Sequence, residues 1–451
     1  MNISLYRSAF VALLQSVFAI RIANAEPLRT SDASILWPLK NVPATGLSDP
    51  FKIQGDGFCN APSLDEGIVI PAETFDSFAT QVLNKNSEDM CARDKELRRA
   101  HMFDNNLDLL NPALNLTRIK GINPEVCQKK HWKIVGFRVD PCMNTAELKS
   151  KPDAKCIVEA RLVAQPFVKD AQNIWQIEDF TMHLIYQIPD LSLMIKELKD
   201  ISVISRKAET AAPWDSFDGS AGSSVLRPHA GLRAEMGKCG GPVATALKTF
   251  LGKHTTPARL TQIAWMTSSI ALTEWTFGVA NVSNNGTTVT PGTFNGGMNF
   301  DNFSLSLMSE GQVSLNKNLE NASFPNLYKA LKLGAMQTIP ADEMSDKSRT
   351  QTIDSIQGML DSTRVSQAQG NCTSCHLATQ ALERIRILSG KPTAVGSGEY
   401  KVTVWPGFVF KEKSFQNLRN FGYGPGFSLA ISRRVVNESD VTQKKLANLF
   451  P

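Results

Sequence analysis

Several familiar signatures are missing from this chain of 451 residues. No stretch stays apolar over the roughly 18 to 20 residues that a bilayer span needs. No H-E-x-x-H, G-x-S-x-G or P-loop pattern occurs, so zinc peptidase, α/β-hydrolase and P-loop nucleotide chemistry lack their sequence signs. Ser314 and Lys317 fit S-x-x-K, but so short a pattern is expected by chance in a chain of this length. There is no dense Lys/Arg block, and the formal charge is only +5. The basic pieces "ISRRVV" and "RIRIL" read as solvated faces, and no nucleic-acid partner is expected. Carboxylate pairs are scattered without a fixed geometry, so no catalytic residue is assigned. Histidine is scarce, with six in all, and from Leu377 to Pro451 there is neither His nor Met.

What is present starts at the N-terminus. "MNISLYR" carries Arg7, an apolar run extends from Ser8 to Ile20, and "ANAEP" sets Ala23 and Ala25 at signal-peptidase spacing. Residues 1–25 therefore read as a signal peptide cleaved after Ala25, although Arg21 is an unusual residue between run and cut. No cysteine adjoins the cut, which argues against a lipid anchor. The mature chain is expected to be periplasmic or secreted, with no stable membrane span. Loss of Arg7 and Arg21 brings the formal charge to 5 − 2 = +3.

Export gives the eight cysteines a chemical meaning, because disulfides persist outside the reducing cytoplasm. Cys142 and Cys156 bracket a polar loop between two strand-like runs in "DPCMNTAELKSKPDAKC". A bridge there would clamp the base of a hairpin and stabilise it by about 3 kcal/mol on the loop-entropy account. Cys59, Cys91, Cys127 and Cys239 have no readable pairing.

The pattern along the chain is helical from about Phe75 to Leu110, with many opposite charges four residues apart. "WKIVGFRVD" (132–140), "CIVEARLVAQPFV" (156–168) and "FTMHLIYQI" (180–188) are rich in β-branched and aromatic residues and read as strands. "LSLMIKELKDI" follows as an amphipathic helix. A linker-like stretch covers 214–241. Strands return in "ARLTQIAWMTSS", "EWTFGVANVS" and "FSLSLMS", and the repeated order hints at duplication without residue identity to support one. The expectation is an α+β protein: an antiparallel-sheet-rich body over 26–340, with a break near 213–241 that would divide it into two subdomains, and a smaller, partly helical C-terminal unit over 341–451. In that unit "DSIQGMLDSTRVSQAQ" and "HLATQALERIRILSG" are helix-like, and a short helix, "ESDVTQKKLANLF", ends the chain.

The C-terminal unit holds the one specific motif, "NCTSCHLAT". If Cys372 begins a helix, Cys375 and His376 stand at i+3 and i+4 on the same face. Two thiols can then reach the two vinyl groups of one porphyrin edge while the imidazole reaches the iron. By composition a chance match is expected on the order of 0.002 times per sequence, so coincidence is a poor account. A bare Cys372–Cys375 disulfide lacks the strand-to-helix setting of a thioredoxin-like site, and structural zinc lacks a second Cys/His pair at finger spacing. The aromatics from Trp405 to Phe427 would wall a haem or fill a small β core.

The segment resembles the attachment site of c-type cytochromes. That resemblance covers five positions and implies one covalent haem c per chain, with thioethers to Cys372 and Cys375 and His376 as proximal iron ligand. Small cytochromes c place a methionine ligand after the motif; here a sixth ligand would come from upstream, from a lysine, or not exist, with Met336, Met344 and Met359 as candidates and Met359 in the adjacent helix-like segment. The remainder, in "WKIVGFRVDPC", "EARLVAQPF", "MHLIYQI" and "NLRNFGYGPGFSLAISRRVVNES", is similar to exported bacterial proteins of unknown function. The functional expectation is an exported monohaem protein that passes electrons to an unidentified redox partner protein. The alternative is an exported binding or structural protein without haem, held by disulfides. The leader is checked first: N-terminal sequencing of exported protein should read from Glu26.

Overall fold

The computed structural model describes residues 28–38, 52–53, 61–66, 70–78, 124–141, 157–169, 175–177, 180–211, 226, 229–235, 239–268, 274–283, 287–291, 303–306 and 433–450. Its helices are α1 (Thr30–Ala33), α2 (Ala72–Phe78), α3 (Leu191–Ala211), α4 (Ala230–Ala234), α5 (Pro242–His254) and α6 (Arg433–Leu449). Its strands are β1 (Ser34–Leu36), β2 (Lys52–Ile53), β3 (Trp132–Asp140), β4 (Glu159–Lys169), β5 (Trp175–Ile177), β6 (Phe180–Gln187), β7 (Leu260–Ser268), β8 (Glu274–Ser283), β9 (Thr288–Pro291) and β10 (Phe303–Ser306).

The runs rich in Val, Ile, Phe and Trp form the strands the sequence predicts. They assemble in the order β1-β3-β4-β6-β7-β8-β10, with β5 and β2 beside β4 and β9 beside β8. Every pairing is antiparallel. The described residues thus form an antiparallel sheet with helices, as an α+β reading requires. Of the C-terminal unit expected over 341–451, only residues 433–450 are described. The β3–β4 hairpin closes at Asp140↔Glu159. Cys142 and Cys156 follow and precede that pair by two and three positions, and both lie outside the described residues.

Register decides which side chains share a face, because directly opposed residues on antiparallel strands point the same way. Between Ile134 and Gly136 the β3–β4 pairing shifts, leaving Val135 as the extra residue of a bulge. On one face stand Trp132, Ile134, Phe137, Leu162, Ala164, Met182, Leu184, Ile263 and Trp265. All are buried. Helices cover this face: Phe137 meets Phe250 of α5 edge-on, with centroids 5.4 Å apart, and Phe75 and Phe78 of α2 meet Trp132 and Trp265 at 5.9 and 5.6 Å. The indole N–H of Trp132 donates to the Val126 carbonyl at 2.6 Å, which satisfies a polar atom inside this apolar layer.

α3 buries Met194, Ile195, Leu198, Ile201, Ser202 and Ser205, a helical stripe that continues well past the Ile201 end of the predicted segment. α5 is an element the sequence reading missed. Its buried Val243, Ala244, Leu247, Phe250, Leu251 and His254 recur at helical spacing, and Pro242 sits in the first turn, where no N–H is needed. The α5 N-terminus is satisfied from a distance: the Glu235 carboxylate accepts from the Val243 and Ala244 N–H groups at 2.7 and 3.0 Å. Gly241 makes this possible, because a Cβ there would lie 2.3 Å from the Glu235 carboxyl carbon. The helix predicted from Phe75 to Leu110 is seen as α2; residues 79–110 lie outside the described residues.

Truncation at the sheet–helix contact should be costly. Phe137→Ala is expected to destabilise the protein by about 3–5 kcal/mol through lost burial and a residual cavity, measured by urea unfolding against the parent.

Candidate functional site

The opposite face of the sheet is polar yet also buried. It carries Arg138, Asp140, Glu159, Arg161, Gln165, Thr181 and His183. Arg138, Asp140, Gln165, Thr181 and His183 are each no more than 4% exposed. A sheet face with this alternation usually reads as the side turned to water. That is why the sequence reading passed over it.

Its centre is an ion cluster. Arg138 and Arg161 oppose each other directly across β3 and β4, a like-charge pairing that is unfavourable without counter-ions. Asp140 supplies one: its carboxylate lies 2.7 Å from Arg138 Nε and 4.0 Å from Arg161 Nε. Glu438 of α6 supplies another, with Oε2 2.7 Å from Arg138 Nη1. Burial pushes the Asp140 carboxyl up from its ordinary value, against the pull of Arg138 and Arg161. Burial raises Glu159 to about 7, with Arg161 opposing and Asp140 adding to the rise.

A second buried cluster joins α1, α3 and α4. Arg29 pairs with Glu209 at 2.8 Å, Ser205 Oγ donates to Glu209 at 2.9 Å, and Asp32 lies 3.9 Å from both Arg206 and His229. The imidazole of His229 accepts the Leu232 N–H at 3.3 Å, as the N-terminal cap of α4. Burial lowers its pKa, with Asp32 opposing. His254 is bonded to Glu197 at 2.6 Å between α5 and α3. These two are core histidines with local partners. His183 lies between Val163 and Ala264 on the polar face. His131 stands 3.8 Å from Glu125.

Cys372, Cys375, His376 and Met359 lie outside the described residues, and so do the aromatics from Trp405 to Phe427. Cys127 and Cys239 are disulfide-bonded. Among the described residues no group of three or more His, Cys, Asp or Glu could hold a metal ion, and no helix is long and apolar enough to cross a membrane. No family model matches the chain, and no curated protein or solved structure matches it significantly.

The raised Glu159 pKa has a definite sign. Between its ordinary 4.5 and about 7 the folded state holds a proton that the unfolded state has lost. Stability from this group is therefore complete below the lower value and declines as pH rises through the upper one, with a slope of at most about 1.4 kcal/mol per pH unit. Glu159→Gln should remove that decline, so the variant gains relative to the parent between pH 5 and pH 8 in urea unfolding.

Proposed function

We propose that the protein is an exported monohaem electron carrier. Cys372 and Cys375 hold haem c through thioether bonds, and His376 is the proximal iron ligand. The observation that carries this reading is the C-x-x-C-H spacing at 372–376. The donor set fits the group: two thiols three residues apart match one porphyrin edge, and the adjoining imidazole is a standard axial ligand. Bound there, haem supplies a one-electron couple that no protein side chain in the described residues offers. Met359 is the candidate sixth ligand, and the partner is a redox protein that docks transiently.

The oxidised state of Cys127 and Cys239 fits a compartment outside the reducing cytoplasm, periplasmic or secreted, where haem c is attached. If the motif cysteines are taken by haem and Cys142 pairs with Cys156, the remaining cysteines are Cys59, Cys91, Cys127 and Cys239, of which Cys127 and Cys239 are oxidised. The same disulfides also favour a second reading, an exported binding or structural protein without haem.

Colour separates the two. Protein exported from cells with a working haem-attachment machinery should show a Soret band, the pyridine haemochrome of thioether-linked haem, and an intact mass increased by one haem. Cys372→Ala and Cys375→Ala should each weaken covalent attachment, and Met359→Ala should shift the ferric spectrum if sulfur ligates the iron. Colourless protein of unmodified mass with every cysteine in a disulfide would leave only the second reading.

A further inference from the structure

The last described helix docks through a polar face. Among the described side chains of α6, the buried ones are Val435, Glu438, Ser439, Thr442 and Leu446. The spacing is helical, but only Val435 and Leu446 are apolar. The contrast is α5, whose buried stripe is Val243, Ala244, Leu247, Phe250, Leu251 and His254.

The polar contacts are specific rather than strong. Glu438 reaches Arg138 on β3. The Gln443 side-chain amide donates to the Leu28 carbonyl at 2.9 Å, just before α1. Lys199 of α3 donates to the carbonyl of Phe450 at 3.1 Å. Two hydroxyls in this neighbourhood are less well served. Ser439 Oγ on α6, and Ser34 Oγ on β1 opposite Arg138, are completely buried and have no hydrogen-bond partner among the described residues. A buried hydroxyl without a partner opposes burial. A buried ion pair sets orientation well but gains little over water, where both charges are solvated.

We infer that α6 is a releasable strap: it leaves the sheet in a local opening that keeps β3, β4 and β6 intact, and that opening uncovers the Arg138–Asp140–Arg161 cluster. Orientation comes from Glu438 on Arg138, and weakness comes from the shortage of apolar contact together with the buried hydroxyls. Opening of this kind is how a fold draws a mobile element from the low-stability end of its range. The inference stands whether or not haem is bound.

Native-state hydrogen exchange on the full-length protein, followed by mass spectrometry at several low urea concentrations, tests it. The amides of α6 should exchange through an opening that leaves β4 and β6 protected. Ser439→Ala should slow that opening by about fivefold or more, because it deletes a polar atom whose burial opposes docking. Glu438→Gln should accelerate it by about tenfold or more, because it removes the charged contact that α6 makes to buried Arg138 and leaves that cation to Asp140. Exchange of α6 only together with β4 and β6 would overturn the inference. So would unchanged or faster α6 exchange in Ser439→Ala, as would unchanged exchange in Glu438→Gln. Should Glu438→Gln fail to fold, the parent and Ser439→Ala decide the matter.

Discussion

The sheet buries side chains on both faces, and among the described residues one of those faces carries an ion cluster. The rest of the structure follows from that constraint. The apolar face is stabilised in the ordinary way, by aromatic and aliphatic burial against α2, α3 and α5. The other face buries Val163, Ile185 and Ala264 beside its charged and polar residues. Arg138 and Arg161 stand opposite each other, so that face is tolerable only where carboxylates are brought to them. Asp140 comes from the same strand as Arg138. Glu438 comes from a helix almost three hundred positions later in the chain.

The bulge at Val135 is what allows both faces to be consistent. Were Val135 to take its turn in regular alternation instead of bulging, the two ends of β3 would present opposite parities. Trp132 and Ile134 would then lie on the opposite face from Phe137. With it, all three point toward the helices, and Arg138 and Asp140 point to the other side. The same strand thereby serves the aromatic layer and the ion cluster.

The helical layer is joined by polar contacts as well as packing. Glu235 reaches across to the first turn of α5. His229 caps α4, and Arg29 fastens the start of α1 to the far end of α3. These contacts link segments far apart in sequence, and each satisfies a donor or charge that burial would otherwise leave exposed to an apolar surround. They account for the buried histidines and carboxylates without assigning them chemistry. The proposed electron transfer rests on the separate cysteine–histidine motif.

Much of the sheet was legible from local pattern. β3 and β8 coincide with "WKIVGFRVD" and "EWTFGVANVS", and β4, β6, β7 and β10 lie within a few residues of their predicted bounds, because β-branched and aromatic runs between turn residues specify strands locally. The C-x-x-C-H spacing is a local pattern over five consecutive positions, and those positions lie outside the described residues. α5 carried a readable helical stripe that begins just after the stretch read as linker, 214–241, and was left unassigned. What no local pattern could contain is the ion cluster. Charges alternating along "GFRVD" and "VEARLV" are the same whether a face meets water or is covered. Only tertiary packing, by bringing Glu438 to Arg138 and enclosing both, turned a solvent-like face into a buried one.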